Sequence, residues 1–206
     1  MSKKLFLTLY WVLTFTWALP TTLLGGLVAL GLLITGHKPY VFCSGLCFPV
    51  AEDWGLELGV FFIGCKDRDK QLMEHEYGHH LQACFLLGPL TLFVTTIPSI
   101  ARFWLREAES KKMRRVVVLV FFLIMLAVGG AFVGMSFLFS CTTLSYIAFC
   151  ATLPYMCIVL DWLLYLAKRY DEFGLDEYDD FWVEGDASRR GNKIHEKYFK
   201  KPLFTP

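Results

Sequence analysis

Charged residues are absent from Leu5 to Thr35, from Leu81 to Ile100 and from Val116 to Ser140, and Asp161 alone interrupts the apolar run from Cys141 to Ala167. About 20 consecutive apolar residues suffice to cross a hydrocarbon core. The pattern therefore predicts an all-α membrane protein with about four apolar helical segments: one over 1–36, one within 71–105, and a helical pair over 116–167. Lys3 and Lys4 precede the first run as in a secretory leader, but the run is too long and has no small-residue cleavage site, so it reads as a membrane segment.

Residues 37–70 break this pattern. Tyr40 to Cys65 is rich in Gly, Phe, Val and Cys, with Pro49 and Gly55 as breakers, and predicts a small β-hairpin. Its second arm, Leu56 to Ile63, is β-prone without clean alternation, so burial on both faces fits as well as burial on one. A helix should begin near Asp69 or Lys70 and put His75, His79 and Gln82 on one face. Gly88-Pro89 interrupts it after roughly half the depth of a hydrocarbon core, at about 1.5 Å per residue, which leaves room for a re-entrant turn as well as a membrane crossing. From 170 to 206 the chain is polar, acidic from Asp171 to Asp186 and basic from Arg189 to Lys201. The whole, 1–206, reads as a single integral membrane domain.

Composition reinforces the membrane reading, since 55% of the 206 residues are hydrophobic. A formal net charge of +1 leaves no basic face for nucleic acid, and the expected partners are membrane lipid and a peptide or membrane-protein substrate. Arg102, Arg106, Lys111, Lys112, Arg114 and Arg115 flank apolar runs, as do Lys168 and Arg169, and such clusters favour the cytoplasmic side. The seven cysteines follow no zinc-ribbon spacing and say little about redox compartment.

The chemistry is concentrated in His75-Glu76-Tyr77-Gly78-His79. Histidines four apart on a helix present two imidazoles to one ion, and the glutamate beside the first reaches a water at that ion. His75 and His79 are thus candidate ligands of one zinc ion, and Glu76 the candidate catalytic base. Catalytic zinc usually takes three protein ligands. Two acids compete for the third place. Glu184 would complete a two-His-plus-Glu site, with Ala187 one turn later allowing close helix approach; Asp161 is an acid inside an apolar segment, where ionisable groups are functional by default. His80 faces about 100° away from His79 and reads as non-ligating, Gln82 as a candidate hydrogen-bond partner, and His37 and His195 as loop residues more often exposed than catalytic.

A resemblance rests on landmarks spread over the chain: Trp54-Gly55, Gly59 and Phe61-Phe62, then HEYGH with Gln82, Gly88-Pro89, Pro98-Ser99, and finally Tyr178, Phe181, Glu184 and Ala187. In these the chain resembles a group of small bacterial membrane proteins with a zincin-like motif, whose last element is similar to the Glu-x-x-Ala-Asp helix of gluzincin peptidases. The resemblance implies a zinc metalloendopeptidase of the bacterial plasma membrane with Glu184 as third ligand. Ser188 stands where the Asp is usual, which leaves open what supports a ligating histidine. A second resemblance, to the site-2 intramembrane proteases, implies Asp161 instead. A non-catalytic membrane protein with structural zinc is the remaining alternative.

Topology bears on the choice. If Leu81 to Ile100 crossed completely, HEYGH and Glu184 would lie on opposite faces of the bilayer and could not share an ion. A re-entrant turn at Gly88-Pro89 followed by the pair over 116–167 returns the chain to its starting side, with the site near the cytoplasmic face.

Overall fold

In a computed structural model of the chain, which describes residues 1–52, 54–64, 66, 69–138, 142–172 and 182–199, the N-terminal apolar run is two helices rather than one segment. α1 (Lys3–Thr14) and α2 (Leu19–Ile34) are bent by 80° across a four-residue break. Pro20, in the first turn of α2, lacks the N–H that a continuous helix would need. The Thr22 hydroxyl donates to the Thr14 carbonyl at 3.1 Å, satisfying an acceptor that the break leaves open.

The expected hairpin is instead a four-stranded mixed sheet: β1 (Tyr40–Phe42), β2 (Gly45–Pro49), β3 (Gly55–Leu58) and β4 (Phe61–Gly64), in the order β1-β2-β4-β3. Outer pairs are antiparallel and the central pair, β2 with β4, is parallel. The Leu56 to Ile63 arm turns back at Gly59, whose φ of +66° suits glycine and whose bare Cα faces the backbone of Thr22. β4 then fills the space between β2 and β3, a non-local pairing with no signature in the local pattern. Phe42, Cys47 and Phe62 from the sheet, Phe6 and Tyr10 from α1, and Met73, Tyr77 and Leu81 from the next helix form one buried core.

That helix, α3 (Lys70–Gln82), starts where expected. The Asp69 carboxylate caps it by accepting from the Leu72 N–H at 2.7 Å. Past Gln82 the helix widens over Ala83–Leu87 and breaks at Gly88, with φ of +53° and Trp17 packed against its Cα. Helix α4 (Ile97–Glu107) precedes the long helices α5 (Lys111–Leu138) and α6 (Thr142–Glu172), and α7 (Trp182–Tyr198) closes the described chain. The landmarks Tyr178 and Phe181 lie outside the described residues.

The chain divides into two compact units, Met1–Leu92 with Asp179–Pro206, and Phe93–Tyr178. In the second, α5 packs along α6, with Gly129 against the Thr152 methyl and Met125, Met156, Val159 and Leu163 buried. The α5 stretch Lys111–Ala131 is long and apolar enough to cross a membrane, and only 17% of its most apolar window is buried by protein. Among the described residues it is the one clear span. Two more would follow if the bent pair α1–α2, and the run Lys70–Leu90 with Leu92–Glu107, each counted as one.

Candidate metal centre

Helical spacing alone would bring His75 and His79 together; a third ligand must come from another element, and backbone contact makes that possible. Gly78 of α3 lies directly against α7, so that a Cβ there would sit 1.9 Å from the Ala187 carbonyl oxygen. One turn and a little further along α7, a Cβ on Gly191 would sit 1.6 Å from the Glu74 carbonyl oxygen. Only glycine permits such approach, and Ala187 keeps the facing position small. Glu74 and His195 tie the same two helices through a 2.5 Å hydrogen bond. His195 is therefore not the exposed loop residue expected but a buried residue of α7, because the α3 surface covers it.

This packing brings Glu184 to the histidines. Nε2 of His75 and Nε2 of His79 are 3.0 Å apart, and each is 3.2 Å from Glu184 Oε2. All three side chains are buried, and their ligand atoms are close enough to share one metal ion. Tetrahedral sites with bonds of about 2.0–2.1 Å have ligand atoms about 3.3 Å apart, so the triangle has the right size. Asp161, the competing acid, is exposed on α6 and is not a member of this group.

The orientation of each imidazole is fixed from behind. The Gln82 amide donates to the Val183 carbonyl at 2.8 Å and to Asp186 Oδ2 at 2.9 Å, both acceptors, which turns its Oε1 towards His79 Nδ1 at 3.0 Å. His79 then donates from Nδ1, and Nε2 is the nitrogen that faces the triangle. Ser188 Oγ lies 3.0 Å from His75 Nδ1 and supplies the support that the missing Asp left open. Gln82 is thus a supporting residue, while Asp186 and Ser188 are supports that sequence reasoning did not assign; their spacing from Glu184 on one helix was the available signal.

Burial pushes the Glu184 carboxyl up, but the charge of His79 and hydrogen bonds from both imidazoles outweigh it and hold the group well below the carboxylate range. Asp186 is also lowered: burial raises it, and hydrogen bonds from Arg190 and Gln82 with the arginine charges prevail. Two imidazole nitrogens and one carboxylate oxygen facing a common point are a donor set that could hold a metal ion.

Glu76 is buried one residue along from His75, under the edge strand β3. A Cβ on Gly55 would come within 2.7 Å of Glu76 Oε1, so glycine at the start of β3 leaves room for the carboxylate. His80, as expected, takes no part in the triangle. Its Nδ1 meets Glu57 Oε1 of β3 at 3.0 Å, and its Nε2 lies 3.3 Å from both Thr14 Oγ1 and Cys84 Sγ. Fold and site together define a mostly helical protein with a small sheet and a buried His-His-Glu group able to hold a metal ion. No protein-family model, no curated protein and no solved structure matches the chain.

Proposed function

We propose that this chain is a membrane-embedded zinc metallopeptidase. The observation that carries the reading is the buried triangle of His75, His79 and Glu184 with Glu76 adjoining it on α3. Two imidazoles and one carboxylate are a donor set that suits zinc and leave a coordination position open, as catalytic sites do and closed structural sites do not. Zinc bound there would polarise a scissile carbonyl and acidify the attacking water.

The protein's own groups divide the remaining work. Glu76 takes a proton from the attacking water and delivers it to the leaving amide nitrogen, so the carboxylate is regenerated in each cycle. Gln82 and Ser188 hold the imidazoles in the tautomer that ligates, and Asp186 holds Gln82. β3 is an edge strand of the sheet and passes over Glu76, which favours an extended peptide that adds to Gly55–Leu58 as a further strand. Only the β3 half of the Leu56 to Ile63 arm is open to such addition, because β4 is enclosed by β2 and β3.

Membrane insertion is supported by α5 and by the apolar outer face of α1 and α2, where Leu23, Leu27 and Ile34 are exposed. The basic residues flanking the apolar segments support a site near the cytoplasmic face of a bacterial plasma membrane. The test is Glu76→Gln in detergent-purified full chain, with zinc per chain and cleavage of a peptide library measured on one preparation. The expected result is near-stoichiometric zinc in both proteins and cleavage by wild type alone. Zinc-loaded wild type that cleaves nothing, in detergent or in proteoliposomes, would leave a structural metal and defeat the peptidase reading.

A further inference from the structure

On the side of α7 next to Arg190 the first unit carries a groove of about 510 Å³, within the roughly 300–1,000 Å³ range of small-molecule sites. Its lining is divided by chemistry. Phe6 of α1, Leu81 of α3, Phe85 in the widened turns after α3, and Ile194 of α7 form an apolar part, in which Phe6 and Phe85 stack with ring centroids 5.9 Å apart. Arg189, Arg190 and Lys193 form a cationic part together with Asp186. These four follow the i, i+3, i+4, i+7 spacing and therefore share one face of α7.

The cationic part is not internally neutralised. Asp186 accepts from Arg190 at 2.5 Å and from Gln82 at 2.9 Å, so its charge is directed to one arginine and inward. Arg189 reaches Asp186 only at 3.9 Å with its side chain largely exposed, and Lys193 is exposed on the next turn. An occupant complementary to this groove carries an anion at one end and hydrocarbon at the other. Phe6 of the groove belongs to α1, whose Leu5 and Leu9 are exposed and suited to lipid.

We propose that this groove binds one anionic phospholipid, with the headgroup phosphate between Arg189 and Lys193 and an acyl chain against the half-buried Phe85 and Ile194, over a floor of Phe6 and Leu81. The site stands apart from the proposed peptidase chemistry and requires no metal. Asp186 nevertheless links the two regions, because it also positions Gln82 behind His79.

Native mass spectrometry of the full chain in detergent tests the proposal, with dioleoylphosphatidylglycerol and dioleoylphosphatidylcholine as probes at matched concentrations. Wild type should retain one phosphatidylglycerol in preference to phosphatidylcholine. The double variant Arg189→Gln/Lys193→Gln should weaken phosphatidylglycerol on the order of thirtyfold, from two basic groups near the phosphate, while phosphatidylcholine is unchanged. Arg190 is left intact because it holds Asp186. The charge-preserving pair Arg189→Lys/Lys193→Arg should restore binding, which separates charge loss from misfolding. Phe85→Asp should weaken phosphatidylglycerol from the apolar end, and glycerol 3-phosphate should not displace the lipid at comparable concentration. Equal retention of the two lipids by wild type, or undiminished phosphatidylglycerol in the glutamine pair, would overturn the proposal. Displacement by glycerol 3-phosphate alone would overturn it too, by reducing the site to one for free phosphate.

Discussion

Gly78→Ala is the smallest change that should separate the third ligand from the other two. The added Cβ would lie 1.9 Å from the Ala187 carbonyl oxygen, and ordinary contact begins at 3.4 Å, so the helices must part by about 1.5 Å. The obstacle is backbone on both sides, and no rotamer change can relieve it. Glu184 sits one turn before Ala187 on the same helix, so its Oε2 would retreat from 3.2 Å to well over 4 Å from the imidazoles, roughly, if α7 moves as a rigid rod. Metal sites tolerate deviations of about 0.2 Å in their bonds. The expected result is loss of zinc affinity by more than about 100-fold, beyond the 10–100-fold typical when only a supporting residue is lost. Zinc per chain and competition against a chromophoric chelator measure it, with far-UV circular dichroism showing whether helices persist. Gly130→Ala is the control, since a Cβ there meets nothing within 4 Å, and it should gain up to about 1 kcal/mol of helix stability. Wild-type zinc affinity in folded Gly78→Ala would refute the argument that backbone contact sets the ligand distance.

Glu184→Ala should lose most of its zinc and Asp161→Ala should keep it; elemental analysis giving the reverse would install Asp161 as the third ligand. Gln82→Leu removes the acceptor behind His79 and one of the donors to Asp186, which keeps Arg190, so zinc affinity should fall about 10–100-fold with the fold retained, and an unchanged affinity would argue that the tautomer is set otherwise. Glu57→Ala leaves His80 buried without its carboxylate, which should cost on the order of 3–5 kcal/mol in a denaturant midpoint series. A loss below about 1 kcal/mol would mean that the pair behaves as a surface one.

The metal helix was legible because its signals are local: an Asp69 cap, histidines at helical spacing, and the Gly88-Pro89 break. Glu184 could be named as a candidate for the same reason, since acid and small residue stand one turn apart. The sheet was not legible beyond its existence. Its parallel centre pairs Leu46 with Phe61 and Pro49 with Gly64, and two short hairpins set side by side in this way leave no alternation that distinguishes them from one longer hairpin. The bend between α1 and α2 was foreshadowed by Pro20, yet a charge-free run carries no information on whether it stays straight.

What the pattern could not carry was the function of small residues. Gly78 inside a metal motif and Gly191 in a polar tail look unrelated in sequence, and in a helix each costs up to about 1 kcal/mol relative to Ala. Their shared role emerges only when α3 and α7 touch: together they set how near Glu184 can come, while Gly55 on the other side sets the room left for Glu76. α3 is thus held by backbone contact with α7 and by the Glu57–His80 pair with β3, and the His75–His79 group and Glu76 lie against different partners, α7 and β3. A site built this way does not tolerate exchange of its glycines even though none of them bears a functional group.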